Sequence, residues 1–226
     1  MGKRQESRDR IERRIVELGR RALATEGAGG LSLRAIAREL GMVSSAVYRY
    51  VRNRDELLTL LLVDAYTDLA DSVEAARGAT QSWDQQLAAM AGAARRWARA
   101  EPASWALLYG SPVPGYHAPQ EKTVGPGTRV VGMLFATVSA GVAAGEVPDP
   151  PGAVAQALTA DLAALRAEYD LPAGDIAAAK CLVVWSTLIG AISLEVFGQY
   201  GADTFGDPAA VFDTQTALMI DFLRQN

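Results

Sequence analysis

The apolar positions of this chain recur at helical spacing almost from end to end. Ile11, Ile15, Leu18 and Ala22 fall four, three and four residues apart, which places them on one face of a helix. Arg10, Arg13, Arg14, Arg20 and Arg21 lie largely off that stripe. Gly27-Ala28-Gly29-Gly30 predicts the helix end, because glycine accepts the left-handed backbone of a helix exit. Ser32 is placed to cap a second helix whose apolar face is Leu33, Ile36, Ala37 and Leu40, and Gly41 stops it. A third, very short helix runs from Ser44 to Tyr50. Asn53 then caps a long fourth helix to about Ala76, with Asp55 and Glu56 favourably placed at the positive end of its dipole.

The pattern continues with helices near 82–99 and 102–109. Pro112, Pro114, Pro119 and Pro126, with several glycines, predict a loop over 111–127. Further helices follow near 128–145, 151–169, 174–199 and 207–224, with Pro148, Pro150, Pro151, Pro172 and Pro208 at their boundaries. Strand signal is almost absent. The expected fold class is all-α: a three-helix helix-turn-helix domain over residues 1–54 and a larger helical domain over 55–226.

Charge sharpens this division. Residues 1–54 carry thirteen Lys and Arg against six Asp and Glu, a net +7, whereas residues 55–226 sum to −11. A basic module on an acidic body is the footprint of a surface that meets a polyanion. A solvated, Arg-rich first helix would give the same count.

The helix pair over residues 31–54 narrows the choice. Two short helices joined by a turn at Gly41 have helix-turn-helix anatomy, and a helix fits the major groove, where base edges show a readable pattern. Ser44, Ser45, Ala46 and Arg49 are the candidates to face bases, and among them only Arg49 can make a bidentate contact with guanine. Tyr48, Tyr50 and Arg54 are the expected phosphate contacts, joined by Ser32 and Arg34 at the start of the second helix. Tyr48 and Tyr50 would equally suit the packing of a helical corner. The implied partner is double-stranded DNA.

Ala35-Ile-Ala-Arg-Glu-Leu-Gly41, Val47-Tyr-Arg-Tyr-Val51 and Asn53-Arg-Asp-Glu-Leu57 closely resemble the signature of the tetracycline-repressor (TetR) family. Val51 stands where many members have phenylalanine, and Arg54 where they have lysine. The resemblance covers about residues 11–62. It implies a ligand-responsive repressor that leaves a palindromic operator when a small-molecule effector binds its divergent helical domain, and that works as a homodimer in the cytoplasm. Trp185-Ser-Thr-Leu-Ile-Gly190, followed by Leu194-Glu195, resembles a subgroup marked by Trp-x-x-x-His-Gly, with Ile189 in place of the histidine; the segment 101–110 resembles the same subgroup.

Elsewhere the residues offer little chemistry. The single histidine, His117, lies in the Pro-rich segment, far in sequence from the single cysteine, Cys181, which reads as a small core residue. Motifs for nucleophilic, phosphate-binding or zinc chemistry are absent, so no catalytic residue, metal or cofactor is expected. One cysteine fits a reducing compartment, and no uninterrupted apolar run has membrane-spanning length. Trp97, Trp105, Tyr109 and Trp185 are the candidates to line an effector site, largely apolar, although aromatic residues suit an ordinary core equally well. Arg95, Arg96 and Arg99, beside Trp97, read as a solvated face. Leu188, Gly190, Ala191, Ile192, Phe212 and Met219 on the last two helices are the candidates for a dimer interface, where they would otherwise close the core of one chain. The competing functional class is a helical enzyme or adaptor with an incidental basic N-terminus.

Overall fold

The computed structural model describes residues 3–77, 82–150, 154–169 and 171–225. Among these the chain forms ten helices: α1 (Lys3–Gly30), α2 (Leu33–Glu39), α3 (Ser44–Val47), α4 (Arg54–Arg77), α5 (Trp83–Ala100), α6 (Pro102–Tyr109), α7 (Gln120–Ala143), α8 (Gln156–Glu168), α9 (Asp175–Val196) and α10 (Pro208–Arg224). They fall into two compact units. One contains residues up to Asp68 together with Glu101–Gly127; the other contains Leu69–Ala100 and Thr128 onwards. Helices α4 and α7 therefore contribute residues to both.

The first unit is built on the stripe read from the sequence. Ile15 and Leu18 of α1, Ile36 of α2, Val47 of α3, Val51, and Leu57, Leu58 and Leu61 of α4 form one buried cluster. Gly19 lets α1 and α4 approach closely, since a Cβ there would stand 3.0 Å from the Leu61 side chain. The predicted caps are present. Ser32 Oγ accepts from Ala35 N at 3.4 Å, and Asn53 Oδ1 accepts from Glu56 N at 2.8 Å. Gly41 turns the chain between α2 and α3 at φ 65°, where a side chain would be strained.

Helix α6 packs against α1, and Leu107, Val113 and Tyr116 lie against the same core. The Pro-rich segment is shorter than its composition predicts. Helix α7 begins at Gln120 and carries Pro126 in its interior, so the expected loop over 111–127 is corrected to roughly 110–119. The segment holds because its start is well bonded, with Lys122 N and Thr123 Oγ1 both donating to Pro119 O at 3.0 Å. Proline costs the helix one donor there, and just beyond it Arg129 pairs with Asp71 and Glu74, both at 2.7 Å.

In the second unit α9 packs against α5, α8 and α10, and α5 against α10. Trp83, Leu87, Met90, Phe135, Val138, Val184, Ile192, Phe212 and Leu223 are buried. Asp207 caps α10 by accepting from Ala209 N and Ala210 N at 2.9 and 3.2 Å. Helix α9 is long and apolar enough to cross a membrane by length and composition alone, with a mean hydropathy of 1.8 over its richest window. Its buried face instead serves as the central helix of this unit, which explains such a composition without a bilayer.

Candidate nucleic-acid interface

The surface of the first unit is built from the start of α2, the whole of α3 and the start of α4. Ser45 and Arg49 are exposed, Ser44 and Ala46 are half-buried, and Val47 turns inward to the core. The Arg49 guanidinium makes no hydrogen bond or ion pair among the described residues, and neither does that of Arg34, which is also exposed. Tyr48, exposed at the end of α3, joins Ser32, Leu33, Arg34, Arg52, Asn53 and Arg54 around an open concavity of about 350 Å³. Ser32, Arg34, Tyr48 and Arg54, all expected to hold phosphate, thus line one hollow, whereas Tyr50, expected to do the same, is not part of its wall.

Two of its cations are tied down. Arg54 Nη2 donates to Ala28 O at 2.7 Å, so this side chain joins the end of α1 to the start of α4. Arg52 donates from Nε and Nη2 to the Glu56 carboxylate, both at 3.1 Å, and Arg52 N donates to it at 2.6 Å. The Arg52 hydrogen bond holds the Glu56 carboxyl below the ordinary glutamate range, with burial opposing it. Tyr50 is half-buried, with Arg8 of α1 over its ring at 5.7 Å from the centroid.

Periodicity alone missed three members of this surface. Val43, just before α3, is 71% exposed, an apolar side chain of the kind that meets a thymine methyl. Its signal was available: it is an apolar residue outside the stripe, next to the first serine of α3. Arg52 and Asn53 line the hollow as well; the sequence marked Asn53 only as a helix cap and gave Arg52 no role.

The other predicted residues are distributed between the units. Trp105 is fully buried in the first unit, with its ring 4.5 Å from that of Tyr109, which in turn meets Tyr66 edge-on at 6.4 Å. Burial pushes the Tyr109 hydroxyl above its ordinary pKa. Trp97 is buried and Trp185 half-buried in the second unit. The reading of Arg95 as solvated is corrected. It is buried, and its Nε and Nη2 donate to both Glu195 oxygens at 2.6 and 2.7 Å, with the Phe212 ring 5.4 Å away. Arg99 stays exposed, 3.5 Å from the same carboxylate.

Of the interface candidates, Leu188, Ala191, Ile192, Phe212 and Met219 are buried within this chain's own unit. Gly190 is half-buried, and its Cβ direction opens on empty space. The apolar surface that α9 and α10 leave outside is different: Leu182, Val183 and Leu218 are exposed, and Val183, Val184, Thr187, Gln215, Leu218, Met219 and Phe222 line a groove of about 210 Å³. Cys181 is fully buried, and its thiol is pushed up to about 12 by burial, as befits a core residue rather than a nucleophile.

Known proteins place this arrangement. The family model described as bacterial regulatory proteins, tetR family, matches residues 15–61, and the model described as tetracyclin repressor-like, C-terminal domain, matches residues 87–219. The HTH-type transcriptional regulator Rv1816 of Mycobacterium tuberculosis is 56% identical over the whole of this chain and 97% of its own length. The chain belongs to the TetR family. It is a helix-turn-helix DNA-binding regulator of transcription. Among solved structures, regulatory protein SCO4313 superposes with a TM-score of 0.79 at 33% identity, covering 97% of this chain and 100% of its own. FadR from Bacillus subtilis, solved with stearoyl-CoA, shares the fold alone at 12% identity and a TM-score of 0.63, over 94% of this chain and 97% of its own.

Proposed function

We propose that this regulator is a cytoplasmic homodimeric repressor that holds a palindromic operator through α3 and leaves it when a largely apolar small molecule binds. The observation that carries the reading is the Arg49 guanidinium, unpaired among the described residues and exposed in the turn just beyond α3, beside a hollow of hydroxyl and guanidinium groups. In this reading Arg49, Ser44 and Ser45 face base edges, with Val43 against a thymine methyl. Ser32, Arg34, Tyr48, Tyr50 and Arg54 hold phosphates and set the register without reading sequence.

Two-fold pairing follows from the length of operator that one short helix can read, and the exposed apolar groove of α9 and α10 is the surface assigned to it in this reading. Gly190, open on its outer side, permits close helix approach. Leu218, 62% exposed at the groove, is the residue to test. Leu218→Arg places charge in the interface and yields monomers in sedimentation. A dimer of undiminished affinity moves the interface elsewhere.

Each unit holds candidates for the effector contacts, Trp97 and Trp185 in the second and Trp105 and Tyr109 in the first, and the resemblance of residues 185–190 to the subgroup marked by Trp-x-x-x-His-Gly belongs to the same reading. A ligand that favours a different spacing of the two α3 helices shifts the dimer off DNA, with α4, which has residues in both units, as the connecting element. Near-complete release requires a differential affinity of about 5.5 kcal/mol between the two states. The experiment follows melting temperature and operator binding together across a panel of apolar metabolites. Release by a compound that also raises the melting temperature supports the switch. Compounds that stabilise the protein yet never alter DNA affinity contradict it.

A further inference from the structure

The face that α1 turns to the helix-turn-helix core is Ile11, Ile15, Leu18 and Ala22, and the same register continues towards the N-terminus through Arg8 and Arg4. A helix face stays apolar while a partner covers it and becomes polar where the partner ends. On this helix the protein partner ends at the ring of Tyr50, three residues beyond α3, and the next residue in register is a cation. Arg8 is exposed. Its guanidinium lies over the Tyr50 ring at 5.7 Å, and its Nε donates to Glu12 at 2.7 Å, so the side chain is held on two sides. Its two Nη groups donate to nothing among the described residues, and the exposed Arg10 is likewise unpaired. Residues 3–14 hold six basic and three acidic side chains, and the whole of this stretch precedes position 15, where the matched family region begins.

We propose that the first turns of α1 form a second phosphate-binding element, in which Arg8, held against Tyr50, takes a backbone phosphate flanking the base pairs read by α3. The exposed Arg10 adds to the positive field of the same turns. The inference rests on the DNA-binding reading and extends the contacted duplex beyond the helix-turn-helix. A guanidinium fixed by a ring and a carboxylate presents its free edge with little further loss of side-chain freedom, and phosphate accepts two parallel N–H bonds from it.

The test uses the full chain and duplexes that it selects from a randomised pool, with affinity measured against salt concentration. Each phosphate contact contributes about 0.9 to the slope of log affinity on log salt. Arg8→Gln should therefore flatten the slope by about one unit per protomer, roughly a three- to fourfold smaller loss of affinity for each fourfold rise in salt. Base preferences should stay unchanged, and Arg8→Lys should keep most of the slope. Trimming the flanks of the duplex should weaken the parent and leave Arg8→Gln little changed. A variant that loses affinity with an unaltered slope would show Arg8 to be a packing partner of Tyr50 and overturn the proposal, and so would an equal response of parent and variant to trimming. If the parent selects no duplex, the DNA-binding reading itself fails, an outcome distinct from an unaltered slope.

Discussion

In the second unit Arg95, Arg129, Arg166 and Arg224 each reach a carboxylate of the same chain, at 2.6, 2.7, 3.0 and 2.8 Å. In the first unit Arg20, Arg52 and Arg54 are also occupied internally, by Asp64, Glu56 and Ala28. Arg34 and Arg49, on the surface around α3, reach no partner among the described residues. One residue type thus does two jobs. A guanidinium held by a carboxylate has much of its field cancelled nearby and helps fix the geometry of the fold, while Arg54, bonded to a neutral carbonyl, and Arg8, held through Nε alone, keep donors for an outside anion. An unpaired one keeps its donors and its field for something outside, and beside a groove-sized helix that something is a nucleic acid.

The contrast breaks most sharply at Glu195. Glu195→Ala leaves the buried Arg95 charge without its bonded carboxylate, with the Phe212 ring against it and Asp207 and Asp213 acting only through their fields, and should cost about 3–5 kcal/mol in urea unfolding. Glu74→Ala removes a surface partner of Arg129 and should cost no more than about 1 kcal/mol. Equal costs would show that burial does not separate the two pairs.

Arg49→Ala takes the comparison to the reading surface. It should change stability by less than about 0.5 kcal/mol while losing about 1–3 kcal/mol of discrimination at one base pair in competition binding. Arg54→Ala should weaken all duplexes alike and also lose its bond to Ala28, so it should lower stability where Arg49→Ala does not. Ser32→Ala removes the α2 cap and should cost about 1 kcal/mol, measured by chemical denaturation.

The smallest effect is that of pH on the Arg52–Glu56 pair. The Glu56 carboxyl has a lowered pKa in the folded chain, so its contribution is full above the unfolded value of about 4.3 and is lost as pH falls through the lower folded value. The stability difference between parent and Glu56→Gln should therefore shrink on acidification below about pH 4. A difference that grows in that range would reverse the assigned sign.

What could be read from sequence was what is decided locally. Ser32, Gly41 and Asn53 act within a few residues of themselves, so their caps and turn follow from residue type and spacing. Pro126 was misleading because composition does not show what brackets it: Pro119 O accepts from Lys122 N and Thr123 Oγ1 before it, and Arg129 after it pairs with Asp71 and Glu74, far away in sequence. Arg95 was misread because its partner, Glu195, lies 100 residues away. The faces of α9 were the hardest. Leu182, Val183, Val184 and Leu188 make it apolar on several sides, so periodicity cannot say which side closes the core and which stays outside; packing against α5, α8 and α10 decides it. The DNA surface was legible because it combines local helix signals with an uncancelled charge. The aromatic residues carried no such signal, since a core and an effector site call for the same side chains.

The most direct test of the central claim is selection of bound duplexes from a randomised pool, run in parallel with the parent chain and Arg49→Ala. The parent should enrich a two-fold symmetric sequence, and Arg49→Ala should lose preference at one symmetry-related pair of positions while still binding. Enrichment of the same sequence by both proteins, with the same preference at every position, would contradict the assignment of α3 as the reader through Arg49.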